Sequence, residues 1–350
     1  MATLEEASKE ELPADVRKLQ TKLTQARLEA KSYKEHLSHA ENELATAYTK
    51  LELYEATADT EYKAFPKHRC KANSPATALI VATDWHSEQK VNAASVNGLN
   101  EFNLEIADRR ITALWQKAVY LTEASRKLSK IRSCVLAVLG DLITGTIHDE
   151  LLESNFLSPN QAIDWVIERL GGGINYLLDY GDFDYIDVVG CVGNHGRTTH
   201  KSRIATLVEN NYEWLVYKTL ERQFSGNKRL RFHVPNGYFN YLEVQGWLCR
   251  FHHGDWLKYG GGVGGISIPV NKSIDKWNRA ITADFDFFGH WHQFKWDRNW
   301  ICCPPLIGYD TFSLSIKAEY DEPSQLFGVI DRDRGLVEAK KIFVEQPRRS

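Results

Sequence analysis

The chain has no apolar run long enough to cross a bilayer, no surplus of positive charge and no pair of cysteines at metal-ribbon or redox spacing. The first absence excludes a membrane-spanning helix. The second, a formal net charge of −3 over 350 residues, removes the broad basic field that gathers polyanions, although a local groove can still be basic in an acidic protein. The third leaves six cysteines, Cys70, Cys134, Cys191, Cys249, Cys302 and Cys303, with no CxxC among them. They are expected to be reduced, buried thiols, as suits a cytoplasmic protein. The N-terminus, MATLEEASKEE, is acidic and lacks the apolar segment of a signal peptide.

What is present divides the chain. Hydrophobic content of 43% and charged content of 25% are those of a globular domain. Ahead of that domain runs a strict repeat: Leu12, Val16, Leu19, Leu23, Ala26, Ala30, Tyr33, Leu37, Ala40, Leu44, Ala47, Leu51 and Tyr54. After the first step of four, the steps alternate three and four, the 3.5-residue period of a coiled-coil seam. Pro13 suits the first turn of such a helix. At about 1.5 Å per residue it would extend roughly 60 Å. A helix lying on its own domain is the alternative, but a seam so narrow suits another helix, and a homo-oligomer through residues 12–54 is expected. Pro66, Pro75 and the basic cluster Lys63, Lys67, His68, Arg69 and Lys71 then break the pattern and read as a linker. The expected division is a coiled-coil helix over 1–57, a linker over 58–77 and one domain over 78–350.

From residue 78 apolar strands alternate with helical patterns. ALIVAT (78–83), CVLAVLG (134–140), YIDVVGCVG (185–193), WLCRFHHG (247–254) and DFDFFG (284–289) read as buried strands, with helices around 104–129, 160–179 and 203–224. This is an α/β arrangement. DRDRG, near the end of the chain, reads as a hairpin turn.

Each of the five strands ends in polar residues: Asp84 and His86; Asp141; Asn194 and His195; His252 and His253; His290 and His292. Singly these are commonplace, since a GD after a strand is usually a turn and a lone buried histidine is usually a core residue. Jointly they occupy the carboxyl ends of strands, where α/β sheets place ligands. Residues i and i+2 of an extended segment point the same way, so Asp84 with His86, and His290 with His292, are expected to converge. Two carboxylates, an amide and four imidazoles can hold two divalent transition metals, with one carboxylate bridging. The N/O donor set suits manganese, iron, zinc or nickel better than calcium, with manganese the expected ion. Paired cations acidify a bridging water and neutralise phosphate oxygens.

The ordered set Asp-x-His, Gly-Asp, Gly-Asn-His, His-Gly and Gly-His-x-His, over residues 78–310, resembles the calcineurin-like metallophosphoesterases. The resemblance implies a two-sheet αββα sandwich and a role for each match. Asp84, His86 and His292 would bind the first metal, Asp141 would bridge, and Asn194, His253 and His290 would bind the second. Hydroxide held between the metals would attack phosphorus, and His195 would protonate the leaving oxygen as general acid. His252, one residue from the family's His-Gly, would face the other side of its strand. GDLITG lacks the Asp-Arg-Gly of the Ser/Thr phosphatases, Thr144 stands where purple acid phosphatases place a tyrosine, and Gly196 stands where an acid would orient His195. The chain is most similar to the often phage-encoded members with an N-terminal helical extension, which would place it in a host cytoplasm.

Several segments are candidates for substrate selection, each with a plainer reading. The glycines of residues 260–265 form either a closing loop or a connector. Asn271, Lys272, Lys276 and Arg279 are read as opening a helix that favours phosphate, or as solvated charges. Arg197, His200 and His148 stand near the motifs, and Trp85, Trp256, Trp291 and Trp296 either stack on bases or pack round the site. The expected activity is a phosphodiesterase or nuclease acting on DNA. A phosphatase or phosphodiesterase of a small nucleotide, and a coiled-coil scaffold with a vestigial site, are the alternatives.

Overall fold

The computed structural model describes residues 13–58, 74–259 and 265–346. They fall into two units, divided between residues 69 and 70, which are taken separately. The basic linker cluster, Cys70 and most of the glycine loop lie outside the described residues.

The first unit is one helix, α1 (Ala14–Ala58), with Pro13 just ahead of it. Val16, Leu19, Leu23, Leu37, Leu44 and Leu51 project from it, and a single helix has nothing of its own to bury them against. No helix among the described residues is long and apolar enough to cross a membrane.

The second unit is built on two sheets. In chain order the strands are β1 (Pro75–Ala82), β2 (Lys130–Val138), β3 (Tyr185–Gly190), β4 (Leu230–His233), β5 (Asn240–Val244), β6 (Trp247–Phe251), β7 (Phe285–Phe288), β8 (Lys295–Asp297), β9 (Trp300–Cys302), β10 (Ser324–Asp331) and β11 (Gly335–Phe343). One sheet runs β11-β10-β1-β2-β3-β4, the other β5-β6-β7-β9-β8. β1 to β4 are parallel, as are β6, β7 and β9. Strand alternation sets the layers. Leu79, Val81, Val135, Ala137, Val189 and Cys191 meet Cys249, Phe251, Phe287 and Ile301 between the sheets. The alternate set, Ala78, Ile80, Leu136, Val138 and Val188, faces outward onto α2 (Leu104–Ser125) and, beyond the short α3 (Asp149–Ser154), onto α4 (Pro159–Tyr180) and α5 (Tyr212–Gln223). On the far side Phe288, Trp300 and Cys302 pack under α6 (Ser267–Trp277). With both faces covered, the central strands β1, β2 and β3 are apolar over most of their length. The result is the expected two-sheet α/β sandwich. Cys134, Cys191, Cys249, Cys302 and Cys303 are free and buried. The DRDRG turn joins β10 to β11, with Asp331 Oδ1 accepting from the amides of Asp333 and Arg334.

Two boundaries differ from expectation. The third helix starts at Tyr212, not 203, because the Asn211 side chain caps it by accepting from the Glu213 amide. α6 starts at Ser267, so Asn271 lies past its first turn and accepts from Trp300 Nε1. Lys272 and Lys276 are exposed on that helix, and Arg279 follows it. They present no helix start to a phosphate.

A fully buried ion pair lies on the outer face of the second sheet. Arg250 and Asp286 are register partners on β6 and β7, both 0% exposed, with Nε to Oδ1 at 2.6 Å and Nη2 to Oδ2 at 3.0 Å. Asp286→Ala leaves the guanidinium unpaired and is expected to cost about 3–5 kcal/mol. Arg250→Met/Asp286→Leu should recover most of that loss. Urea midpoints check both.

Candidate metal centre

Every parallel strand named in the motifs stops before its polar residues, and the chain then turns sharply. Asp84, His86, Asp141, His290 and His292 all have left-handed backbones, with φ of 49°, 43°, 50°, 67° and 47°. This corrects the expectation that each pair converges along an extended segment. The side chains meet because tight, strained turns aim them, and such strain concentrates at functional sites. Two glycines make room for the carboxylates. A Cβ at Gly193 would strike the Asp141 carboxylate, and one at Gly289 would strike that of Asp84.

The structure brings all seven expected ligands together. Donor atoms of Asp84, His86 and His292 lie within 4.8 Å of one another, as do those of Asp141, His253 and His290. Asn194 Oδ1 is 3.1 Å from His253 Nε2. Asp141 spans the two groups, its Oδ2 being 4.0 Å from His86 Nε2 and 2.9 Å from His253 Nε2. His195 also comes within 4.8 Å of a donor pair, His86 and Asp141. His252 stays out, stacked on Phe288 with centroids 5.1 Å apart.

Hydrogen bonds fix which imidazole nitrogens face inward. His253 Nδ1 donates to the Leu139 carbonyl at 2.8 Å, so its Nε2 is the nitrogen that faces Asp141 Oδ2 and Asn194 Oδ1. His292 Nδ1 donates to Asp310 Oδ1 at 3.2 Å, turning Nε2 toward Asp84 Oδ1 at 3.6 Å. Both nitrogens of His86 are buried without a partner. Where such a ring is neutral, its inward nitrogen and the carboxylate oxygen are both acceptors and repel unless a proton or a cation lies between them. Divalent cations fit that requirement, and the donor set is one that transition metals accept.

The titration behaviour has the same cause. Burial holds His86 and His290 down to about 3, so both rings are neutral, as ligands must be. Burial would lower His253 and His292 as well, but the Asp141 carboxylate raises the first well above its ordinary range and Asp310 raises the second to about 10. Burial would raise Asp141, and the imidazoles of His253 and His195 pull it well below the usual range. These carboxylates draw positive charge from whatever group lies nearest.

Three supporting residues carried no signal in the sequence. Asp310 orients His292 and also caps the short helix α7 (Thr311–Ser315). Glu213 accepts from the Leu142 amide on one oxygen and the Gly193 amide on the other, both at 2.6 Å, tying the Asp141 turn to the Asn194 turn. Burial and the neighbouring Asp141 push Glu213 up to about 8, against the pull of those two amides. Glu88, fully buried, accepts from the amides of Thr144 and Gly145.

The centre opens into a cleft of about 330 Å³, walled by His148, Glu150 and Leu151 on one side and by Thr311, Phe312 and Ser315 on the other. His148 stacks edge-on 6.0 Å from His195. None of the four tryptophans lines the cleft. Trp85 is fully buried and donates to Gln325, and Trp291 is buried beside α6. Arg197 spends its guanidinium on the carbonyls of Asn194 and Thr199 in its own loop.

No family model matches the chain, and no curated protein matches it. Among solved structures it is similar to a dimetal phosphatase from Danio rerio, at 9% identity over 77% of this chain and 99% of that one, TM-score 0.36. It is similar to Vps29 complexed with Zn2+ from Entamoeba histolytica, at 8% identity over 76% and 99%, TM-score 0.32. A conserved protein of Streptococcus pneumoniae described as a predicted phosphoesterase gives 11% identity over 76% and 97%, TM-score 0.27. Likenesses this slight add nothing to what the side chains themselves supply.

Proposed function

We propose that the chain is a two-metal hydrolase of phosphate esters. The observation that carries this is the set of imidazole nitrogens turned, at the floor of a cleft, toward the carboxylates of Asp84 and Asp141. Asp84, His86 and His292 would hold one cation, Asn194, His253 and His290 the other, and Asp141 both. Divalent cations in that donor set supply Lewis acidity to a phosphate oxygen and acidify water. The chain's own contribution is orientation and a proton. His195 donates through Nδ1 to the Thr144 carbonyl at 2.8 Å. Nε2 is therefore the nitrogen left to carry a second proton, which a leaving oxygen in the cleft can take. Phe312, against His290 and His292, shields the centre from water on one side.

The lining favours a compact, nucleotide-sized ester. No lysine or arginine lines the cleft and Glu150 does, whereas a long polyanion needs a row of cations. DNA is the second reading, supported by the exposed basic stretch His200, Lys201 and Arg203 that follows His195. With manganese present, p-nitrophenyl phosphate, bis-(p-nitrophenyl) phosphate, nucleotides and labelled DNA separate these readings. Nucleotide turnover with inert DNA is expected. Degradation of DNA with inert nucleotides reverses the order, and no turnover of any ester removes the hydrolase.

For α1 we propose pairing with a second copy of the chain, on the strength of its 3.5-residue seam. Leu23→Glu/Leu37→Glu/Leu44→Glu is expected to convert an oligomer to a monomer in sedimentation velocity. A wild-type monomer rules the pairing out.

A further inference from the structure

Among the described residues no carboxylate accepts a hydrogen bond from the His195 ring, although Asp141 lies within 4.8 Å of it. Residue 196 is glycine, and the ring's Nδ1 donates to a main-chain carbonyl, that of Thr144. A carbonyl can only accept, so this bond fixes which nitrogen is left for the cleft. Residues 142–147 form no helix or strand, however. Something else must aim the Thr144 carbonyl.

Glu88 meets that need. Its Oε1 accepts from the Gly145 amide at 2.8 Å and from the Thr144 amide at 2.9 Å. The Thr144 carbonyl and the Gly145 N–H belong to one planar, trans peptide unit and point in opposite directions. Holding the N–H against Glu88 therefore turns the carbonyl away from Glu88 and toward His195. The neighbouring main chain is secured independently, with Asn155 Nδ2 donating to the Gly145 carbonyl at 2.7 Å and Ser87 donating to that of Leu142 at 2.8 Å. Glu88 is 0% exposed, its Oε2 has no hydrogen-bond partner, and it belongs to none of the metal-sized donor groups. Burying a carboxylate there opposes folding, and an apolar residue would fill the space at less cost.

We infer that Glu88 is a positioning residue for His195, acting through the Thr144–Gly145 peptide to hold Nε2 at the leaving oxygen. The inference rests on the reading of His195 as proton donor in a phosphoester hydrolase. Its signature is selectivity for the leaving group. A nitrophenolate departs without a proton, whereas an alkoxide needs one.

The test compares wild type, His195→Ala, Glu88→Ala and Glu88→Gln on p-nitrophenyl phosphate and propyl phosphate, or on the corresponding diesters, with manganese content measured in each. In Glu88→Ala the kcat for the propyl ester is expected to fall about 30-fold or more, within the range a positioned acid supplies. Its KM, the nitrophenyl rate and the metal content should stay near wild type. Glu88→Gln keeps the Oε1 acceptor and should restore the propyl rate to within a few-fold. If Glu88→Ala does not fold, Glu88→Asp, one methylene short of the two amides, carries the same expectation. Equal losses on both esters, loss of manganese, or no rescue by glutamine overturns the positioning role alone, provided His195→Ala shows the selectivity. An inactive wild type, or an unselective His195→Ala, overturns the underlying reading and this inference with it.

Discussion

Asp141→Asn is expected to lower bound manganese from two ions per chain to one or none and to reduce turnover by on the order of 10³-fold or more, about 4 kcal/mol of barrier. Asp141 Oδ2 reaches both donor groups, through His86 on one side and His253 on the other. Its second oxygen accepts from the His195 amide at 2.8 Å. Asparagine keeps the shape, removes the charge that two adjacent cations would share, and would turn an NH2 toward one of them. Elemental analysis beside steady-state kinetics decides the matter. Two tightly held ions with turnover within tenfold of wild type would mean that the carboxylate does not bridge.

The second large effect separates catalysis from binding. His195→Ala should retain both metals and lose about 10²–10⁴-fold in kcat on an ester with a basic leaving group. The ring also lies within reach of His86 and Asp141 as a donor, so the opposite outcome is informative. If the variant keeps only one metal, His195 is a ligand, and the leaving oxygen takes its proton from another group.

The sequence shows where the chemistry lies because ligand-bearing turns follow apolar strands, and each such junction is local. β1 ends at Ala82 and Asp84 follows; β2 ends at Val138 and Asp141 follows; β7 ends at Phe288 and His290 follows. Local text does not show how the ends are held. Asp310 reaches His292 across 18 residues that include β8 and β9, Glu213 reaches two turns from a helix, and Glu88 sits in a turn with no pattern of its own. These are tertiary contacts, and their residues look like ordinary surface acids until the fold buries them. The tryptophans mislead for the related reason that nearness in sequence to a ligand says nothing about which way a bulky ring faces. Trp85 follows Asp84 directly, yet turns into the packed interior.

The two glycine hollows have a consequence for assembly. Asp84, from the first sheet, nests where Gly289 of the second has no side chain, while Gly193 makes the same room for Asp141 within the first. His290, on the second sheet, donates its amide back to both oxygens of Asp84 at 3.1 and 3.0 Å. The centre is therefore a rivet driven through both halves of the sandwich, and neither half possesses it alone. Whatever loosens one sheet against the other is felt at the rivet before either sheet has lost its own strands.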